Sequence, residues 1–472
     1  MQLKRIIKRD YNKWYDDAYI YEKQNENSKY TSITYGKFIE SSLAIADYLI
    51  KSGYKNKNII IISENSIRLM EFDIAISFYT GICAIVSKEW KKNDLIEGIK
   101  ELKADLLIYS DRYEDIVSSV KEEINIDTLN MNSVHEKFSI ELLDMNIKKY
   151  DKVAKIVFSS GTTGKSKAVM LSLKNIFAGY ASLYRRCNLN HDDSAYLFLP
   201  LNHTYANVYN FMYSLVAGFR LYLASSTANI GKELLETNPS IFCAVPLVYN
   251  NLLQAYGDNI NIAFGKNIKY LFCGGAAMPI ETRKIYKEKG LCLMQAYALS
   301  ETASSLAIAY PYEDDLENSG TIFEDMDVKI DNPDKDGVGE IIVKGDSVFL
   351  GYTDKSLTKK VFDKDGYFHT GDLGIIKNNN IYLKGRKKKM LLTSNGENVM
   401  AESIENAIKN KNDNISSVKA YVENDQIVAN IYLKKEMDID NIIKEYNSEC
   451  PKYEKVKNYK IFIDSIDNRL KQ

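Results

Sequence analysis

Apolar residues in the first quarter of the chain follow two alternating spacings. Helical spacing alternates with short apolar runs such as Ile59-Ile60-Ile61-Ile62, which are typical of strands buried in a parallel sheet. This alternation predicts a parallel sheet covered by helices. Residues 111–150 are polar, lack a clear period and support no assignment. The predicted helices are 35–52, 67–80 and 94–102, and the predicted strands are 59–62, 83–86 and 106–109.

A second alternation of the same kind follows residue 172. Ser172 is a candidate N-cap for a helix over 173–185, because a hydroxyl before an apolar periodic stretch can accept the first backbone N–H groups. The pattern predicts a second α/β sheet. Its predicted strands are 195–201, 221–224, 241–245, 268–273 and 292–295, and its predicted helices are 205–217, 231–236, 247–256 and 280–289.

From residue 319 the pattern changes to short strands separated by turn clusters such as Asp331-Asn332-Pro333-Asp334, which predicts a small β-rich subdomain. A final unit has predicted helices at 401–409 and 439–446 and strands at 418–422 and 427–433. The predicted fold class is therefore α/β. A large N-terminal domain, residues 1–387, holds two α/β sheets and the β-rich subdomain, and a small α+β C-terminal domain spans residues 388–472.

Charge and composition exclude several functional classes. The 472 residues carry a net charge of −1, so no nucleic-acid partner is expected. Six cysteines without a C-x-x-C pair indicate reduced core residues and a cytoplasmic location. The N-terminus lacks the apolar core of a signal peptide, and no apolar run approaches the ~20 residues of a membrane span. No integral membrane segment is expected.

The stretch IVFSSGTTGKSKAVMLS, residues 156–172, is the strongest candidate for chemistry. A loop of glycines and hydroxyls between apolar runs presents N–H and O–H donors to an anion such as phosphate. It nearly matches a P-loop, but Ser159 replaces the first glycine, and residues 167–171 predict a strand where a P-loop needs a helix. A strand–loop–strand hairpin is favoured. A P-loop nucleotidase and a turn without any ligand remain alternatives.

Later segments occur in an order that resembles the adenylate-forming superfamily, which includes acyl-CoA synthetases, luciferases and peptide-synthetase adenylation domains. The last segments are most similar to the fatty-acid (long-chain) acyl-CoA ligase branch. The resemblance covers about residues 33–433. It rests on SSGTTGKSKAVMLS, FLPLNHTY (198–205), YLFCGGAAM (270–278), QAYALSET (295–302), GYFHTGDLG (366–374) and YLKGRKKKMLLTSNGENV (382–399).

The resemblance implies an ATP-dependent enzyme, an acyl-CoA synthetase or AMP-forming acid–thiol ligase. A carboxylate would attack the α-phosphate of ATP, and a thiol would then take the acyl group. ATP and Mg²⁺ are the implied cofactors, and the implied acid is fatty or otherwise apolar or aromatic. The thiol is that of CoA or of the phosphopantetheine arm of an acyl or peptidyl carrier protein. A monomer or homodimer is expected. A catalytically impaired nucleotide-binding relative is a further alternative.

The resemblance also implies roles for individual residues. Glu301 matches the Mg²⁺ ligand, and Ser300 keeps a hydroxyl for the α-phosphate. His203 would orient the acid. Phosphates would be bound by Ser159, Ser160, Gly161, Thr162, Thr163, Gly164 and Lys167, and adenine and ribose by Gly275, Ala276, Ala296, Tyr297, Asp372 and Arg386.

The C-terminal domain of the resembled family is mobile and rotates about a hinge, which falls on Lys388 here. Gly396 and Glu397 would then approach the thiol arm. Lys471 fits the family's catalytic lysine, although Leu470 replaces the usual glycine before it. Ser166, Ala168, Ala277 and Ala298 are further departures, each by a small residue.

Overall fold

The structure is a computed structural model. It describes residues 3–135, 137–159, 167–387, 390–392, 398–423, 426–450 and 454–463. The chain divides into two compact units. The first comprises Met1–Asp327, Val343–Phe368 and Asn378–Ile381, and the second comprises Val328–Ile342, His369–Lys377 and Tyr382–Gln472. This division follows residue contacts rather than one point in the chain. The predicted boundary at 387/388 is that of a C-terminal domain that rotates about a hinge, and it stays a prediction.

The N-terminal third of the first unit alternates helices and strands. A π-helical turn, Ala75–Thr80, directly follows its third helix. The elements are α1 (Leu3–Trp14), β1 (Ala18–Glu22), β2 (Thr31–Thr34), α2 (Tyr35–Lys51), β3 (Asn58–Ile62), α3 (Ile67–Ile74), β4 (Ile82–Ile85), α4 (Lys92–Leu102), β5 (Leu106–Tyr109), α5 (Glu114–Lys121), β6 (Asp127–Asn130) and β7 (Val153–Ser159).

The same alternation continues after the glycine-rich loop. A second π-helical stretch, Tyr205–Met212, runs into α8. The elements are β8 (Lys167–Ser172), α6 (Leu173–Ala178), α7 (Tyr180–Cys187), β9 (Ser194–Leu197), α8 (Tyr213–Ala217), β10 (Arg220–Leu223), α9 (Ile230–Thr237), β11 (Ile241–Ala244), α10 (Pro246–Tyr256), α11 (Ile260–Phe264), β12 (Tyr270–Cys273), α12 (Ile280–Glu288), β13 (Leu293–Tyr297) and β14 (Ala307–Ile308).

Shorter strands dominate the remainder of the chain. The elements are β15 (Gly320–Ile322), β16 (Met326–Asp331), β17 (Gly339–Gly345), β18 (Gly351–Tyr352), α13 (Lys355–Val361), β19 (Phe368–Lys377), β20 (Asn380–Arg386), β21 (Met390–Leu392), β22 (Asn398–Met400), α14 (Ala401–Lys409), β23 (Ile415–Glu423), β24 (Gln426–Leu433), α15 (Asp440–Glu449) and β25 (Asn458–Ile463).

Two largely parallel sheets form the first unit, as the alternation predicts. One has the strand order β18-β8-β7-β4-β3-β5-β6, and the other contains the run β15-β14-β13-β12-β11-β9-β10-β1-β2. The apolar runs of the sequence form inner strands of these sheets. In the first sheet, all four isoleucines of β3 are 0% exposed. Burial on both faces explains why these strands are continuously apolar rather than alternating.

Local sequence explains how the hairpin leads into its helix. β7 and β8 pair antiparallel, from Val153 opposite Ser172 to Ser159 opposite Lys167. The Ser172 hydroxyl accepts from the Asn175 N–H and the Asn175 side chain accepts from the Ser172 N–H, which forms a capping box at the start of α6. The single helix predicted over 173–185 is instead divided at Gly179. A Cβ there would lie 2.4 Å from the Ser305 side chain.

The second unit contains the strand order β16-β17-β19-β20 and a separate three-stranded sheet, β23-β24-β25. α14 matches the predicted helix residue for residue, and its buried Ile404 and Ile408 join the core of that sheet. β23 and β24 correspond to predicted strands, whereas β25, which pairs parallel to β24, was not predicted.

Within the described ranges, no helix combines the length and apolar character that crossing a bilayer requires. All six cysteines are free, and five of them are buried.

Candidate functional site

A cavity of about 290 Å³ opens beside the π-helical stretch Tyr205–Met212 of the first unit. It lies where the ends of β11, β12 and β13 meet this helix. Parallel strands collect their carboxyl ends at one edge, which is where ligands bind in open α/β sheets. Its lining is formed by Leu199, His203, Thr204, Tyr205, Ala206, Tyr209, Val245, Gly274, Gly275, Ala296, Ala298, Leu299, Ser300 and Ser304.

His203 is the histidine of this lining. Its backbone N–H donates to the Pro200 carbonyl at 3.1 Å, and its carbonyl accepts from the Asn207 N–H, so the residue starts the π-helical stretch. The side chain is exposed, yet burial by the surrounding protein lowers the pKa of the imidazole below its ordinary 6.5. The ring is therefore neutral at pH 7 and can accept or donate one hydrogen bond.

Aromatic side chains close the cavity on one side. The Tyr205 hydroxyl donates to the Phe272 carbonyl at 2.7 Å. The Tyr209 ring stands edge-on to Tyr205, with ring centroids 5.8 Å apart. Gly274 permits this arrangement, because a Cβ at that position would lie 3.3 Å from the Tyr205 ring. The resulting wall is apolar and rigid.

Ser300 and Glu301 stand together at the end of β13, in a short 3₁₀ turn. Ser300 lines the cavity. One oxygen of the adjacent Glu301, Oε1, accepts a hydrogen bond of 2.7 Å from the Tyr352 hydroxyl. The Phe349 N–H donates to the Glu301 carbonyl at 2.8 Å. The carboxylate is partly exposed, so Glu301 fits the donor type that Mg²⁺ prefers.

The glycine-rich loop is described only at its two ends. The Ser159 hydroxyl lies 3.4 Å from the Lys167 carbonyl, across the last pair of the β7–β8 hairpin. The Lys167 ammonium lies 5.1 Å from the centroid of the Tyr352 ring. Ser160, Gly161, Thr162, Thr163 and Gly164 lie outside the described residues.

A buried polar cluster joins the hairpin to the π-helical stretch that follows His203. Lys155 of β7 forms an ion pair with Asp73 of α3, and its ammonium donates to the Asn207 side chain at 2.7 Å. The Asn207 amide donates to Asp73 at 2.9 Å. All three side chains are nearly inaccessible to solvent. Breaking such a pair leaves an uncompensated buried charge, so the cluster fixes the two elements in one arrangement.

The predicted ribose residues belong to the second unit. Arg386 Nε lies 2.9 Å from Asp372 Oδ1. Glu340 lies on β17, the strand next to that of Asp372: its Oε1 accepts from the Gly371 N–H at 3.0 Å, and its Oε2 contacts the Lys387 ammonium at 2.8 Å. His369 Nδ1 lies 3.0 Å from the same Oε2. Glu340 therefore joins residues adjacent to both Asp372 and Arg386.

Glu340 also belongs to a possible metal-binding group in this unit. One ligand atom each from Asp331, Glu340 and His369 lie within 4.8 Å of one another. The Lys387 ammonium already occupies Glu340 Oε2. A cation would have to displace a like charge, so this group is a poor metal site.

The structure brings some of the predicted site residues together and leaves others apart. His203, Gly275, Ala296 and Ser300 share the cavity, and Gly275 has a φ of +80°, which favours glycine. Ala276 is exposed, whereas Tyr297 is buried at 6% exposure. Lys388, Gly396, Glu397 and Lys471 lie outside the described residues.

Two residues of these sites were not predicted. Tyr352 and Glu340 lie in the region of short strands predicted from residue 319, and the sequence motifs assign neither of them a role. The partner of Tyr352 lies 51 residues away in the chain, and the partners of Glu340 lie 29 to 47 residues away. Neither pairing leaves a local signal. A tyrosine or glutamate in a half-buried strand is ordinarily a packing or surface residue.

Curated relatives are similar to this chain over part or most of its length. A 2-succinylbenzoate–CoA ligase of Oceanobacillus iheyensis is 25% identical over 388 residues, which cover 80% of this chain and 78% of the relative. A long-chain-fatty-acid–CoA ligase of Rattus norvegicus is 27% identical over 311 residues, 54% of this chain. That match spans only 43% of the rat protein's length.

Solved structures share the fold at low identity. The O-succinylbenzoate coenzyme A synthetase (MenE) of Bacillus subtilis, in complex with ATP and magnesium ion, has a TM-score of 0.84 at 18% identity and covers 97% of this chain and 95% of that one. ATP-bound MatB of Rhodopseudomonas palustris has a TM-score of 0.82 at 20% identity, with coverage of 98% and 95%. The predicted α/β fold is confirmed.

A family model described as AMP-binding enzyme matches residues 8–353, more than half of the chain. This match and the curated relatives confirm the predicted resemblance to the adenylate-forming superfamily and the prediction that the protein is an enzyme. The chain belongs to the AMP-binding enzyme family, the adenylate-forming superfamily that its ordered motifs resemble.

Proposed function

We propose that this chain is an ATP-dependent acid–CoA ligase. The acid's carboxylate oxygen attacks the α-phosphorus of ATP and pyrophosphate leaves. The CoA sulfur then attacks the acyl carbonyl and AMP leaves. The observation that carries the proposal is that one cavity is lined by the neutral His203 imidazole, the Ser300 hydroxyl and the backbone of Gly274 and Gly275. Glu301, whose carboxylate accepts from Tyr352, directly follows Ser300 in the chain. Family relatives named as CoA ligases support the proposal.

Each proposed role follows from the chemistry of the side chain. His203, kept neutral by its lowered pKa, orients the acid's carboxylate without titrating at pH 7. Ser300 donates to the α-phosphate. Lys167 binds the outer phosphates, and Asp372 accepts from the ribose hydroxyls. Glu301 would hold Mg²⁺, which supplies charge neutralisation between the approaching anions when bound.

The acid itself is proposed to be apolar, fatty or aromatic. The wall of Tyr205 and Tyr209, together with Leu199, Val245 and Leu299 of the same lining, offers aromatic and aliphatic surface rather than charge. Burial of an apolar group against it contributes about 25 cal/mol per Å². This surface favours an apolar acid over a charged one.

The test is acid-dependent exchange of pyrophosphate into ATP over a panel of fatty and aromatic acids, followed by thioester formation with CoA or with a carrier protein. We expect exchange with at least one apolar acid and a CoA thioester. If the acyl group is transferred to the carrier protein and not to CoA, the carrier protein is the acceptor. Phosphate release without exchange would indicate a nucleotidase, and exchange with no acid would indicate an impaired relative.

Lys471, which lies outside the described residues, is proposed as the catalytic lysine. Lys471→Ala should lower exchange by about 100- to 1,000-fold, because one cation opposite the developing charge contributes ~3–4 kcal/mol. ATP binding, measured by calorimetry, should change little. Lys460→Ala, at an exposed position of β25, is the matched control. Equal rates for both variants and the wild type would refute the role.

A further inference from the structure

Tyr352 connects two groups that the proposed function uses. It lies in β18, with Tyr352 opposite Val169 of β8, the strand that begins at Lys167. The residue is 2% exposed. Its ring packs edge-on to Phe349 with centroids 4.9 Å apart. Its hydroxyl reaches Glu301, and its ring face lies beneath the Lys167 ammonium.

The direction of the Tyr352–Glu301 hydrogen bond is determined by the chemistry of the two groups. A carboxylate oxygen only accepts and a phenol hydroxyl can donate, so the Tyr352 hydroxyl is the donor to Glu301 Oε1. Among the described residues, no other side chain donates to the Glu301 carboxylate. A carboxylate offers about four acceptor positions, so Oε1 is oriented while acceptor capacity remains for a cation.

The backbone reinforces this arrangement. The Phe349 N–H donates to the Glu301 carbonyl, and the Leu350 and Thr353 N–H groups donate to the Met170 and Ala168 carbonyls of β8. Residues 349–353 are therefore attached both to the 3₁₀ turn of Glu301 and to the strand that follows the glycine-rich loop. Side-chain and backbone contacts place Tyr352 at a fixed distance from both.

We propose that Tyr352 is a positioning residue that orients Glu301 for a divalent cation and holds Lys167 ready for the phosphates of ATP. The inference rests on the proposed function. Glutamate has three rotatable side-chain bonds, and fixing its carboxylate before the cation arrives removes an entropic cost from binding. The ring attracts the ammonium by about 0.5–1 kcal/mol, which a polyphosphate readily exceeds, so Lys167 is held but not trapped.

Two substitutions separate the hydroxyl from the ring. Tyr352→Phe removes the donor and keeps the ring, so the dissociation constant for Mn²⁺, measured by electron paramagnetic resonance with a non-hydrolysable ATP analogue, should rise about tenfold. The KM for ATP at saturating Mg²⁺ should stay near wild type. Tyr352→Leu also removes the ring, and this KM should then rise about two- to fivefold.

Tyr196→Phe is the matched control. The Tyr196 hydroxyl donates to Glu233 at 2.8 Å, and both side chains are fully buried in the first unit. Losing that bond should lower thermal stability while Mn²⁺ affinity stays at the wild-type value. If Tyr352→Phe also leaves Mn²⁺ affinity unchanged, or if Tyr196→Phe weakens it equally, Tyr352 has only a structural role.

The outcomes distinguish this inference from the proposed function. Acid-dependent exchange in the wild type together with an unchanged Mn²⁺ affinity of Tyr352→Phe overturns the inference alone. Weaker Mn²⁺ binding by Tyr352→Phe without exchange by the wild type supports the positioning role and overturns the ligase. A wild-type protein that binds no Mn²⁺ with the nucleotide analogue overturns the positioning role as well.

Discussion

Glu301 in the first unit and Glu340 in the second are both glutamates beside proposed nucleotide-binding residues, but their surroundings differ. Glu301 is partly exposed and, within the part of the chain that the structure describes, its carboxylate accepts from one neutral hydroxyl. Glu340 is 6% exposed and is contacted by a backbone N–H, an imidazole nitrogen and the ammonium of Lys387.

This difference separates a carboxylate that can take a ligand from one that already has its partners. Burial alone would raise the pKa of Glu340, but hydrogen bonds from Lys387 and His369 outweigh burial and lower it. Glu340 therefore stays ionised and serves the protein itself, joining β17 to the strands of Asp372 and Arg386. Glu301 keeps acceptor capacity for a cation. Both residues are glutamates, so residue type does not distinguish a ligand-binding role from a structural one. The number of hydrogen-bond donors that the protein places around each carboxylate does.

The largest expected effect is the loss of pyrophosphate exchange when the Glu301 carboxylate is replaced. Glu301→Gln keeps the size of the side chain and an acceptor for Tyr352, but it removes the negative charge that Mg²⁺ requires. We expect pyrophosphate exchange to fall about 100-fold or more at physiological Mg²⁺. A Mg²⁺ titration of exchange measures this loss. Glu324→Gln, on the surface beside Arg185, should match wild type, and an unchanged Mg²⁺ requirement in Glu301→Gln would remove the contrast between the two carboxylates.

A smaller effect, on the free energy of unfolding, is expected when the Glu340 carboxylate is replaced. Glu340→Gln should lower the free energy of unfolding by about 1–3 kcal/mol at pH 7, because bonds to a charged acceptor are lost. The folded pKa lies below the ordinary 4.5, so the wild-type advantage is present above pH 4.5 and disappears as pH falls through the folded pKa. Urea unfolding at pH 7 and at an acid pH below the folded pKa tests this dependence.

The two glutamate variants should differ in kind as well as in size. Glu340→Gln should leave the Mg²⁺ requirement of exchange unchanged, whereas Glu301→Gln should leave stability nearly unchanged. A stability loss in Glu340→Gln that is equal at both pH values would show that the ionised carboxylate is not its cause.

The smallest effect concerns Glu22, at the end of β1. Burial raises its pKa to about 7, and the Glu71 and Glu64 carboxylates add to the rise. Because the folded form holds the proton between pH 4.5 and 7, stability falls as pH rises through that window. Glu22→Gln removes this penalty, so its Tm should exceed wild type by about 1–2 °C at pH 8 and match it at pH 4. Calorimetric melts measure both, and an equal difference at both pH values would contradict the titration.

The sequence by itself determined the elements whose causes are local. The β7–β8 hairpin, the Ser172 cap and α14 depend on residues a few positions apart, so period and capping predicted them. The order of the motifs likewise identified the superfamily. The helix predicted over 173–185 is divided at Gly179, a position where the distant Ser305 leaves no room for a Cβ.

Tertiary structure alone decided the rest. β1 was not predicted, and it joins its sheet by pairing Ile20 with Leu221, about 200 residues later. The partner of Glu301 comes from a strand 51 residues away, and the partners of Glu340 lie 29 to 47 residues away. A side chain's capacity to bind a ligand depends on which donors the fold brings to it, and loop closure over such separations leaves no mark in local periodicity.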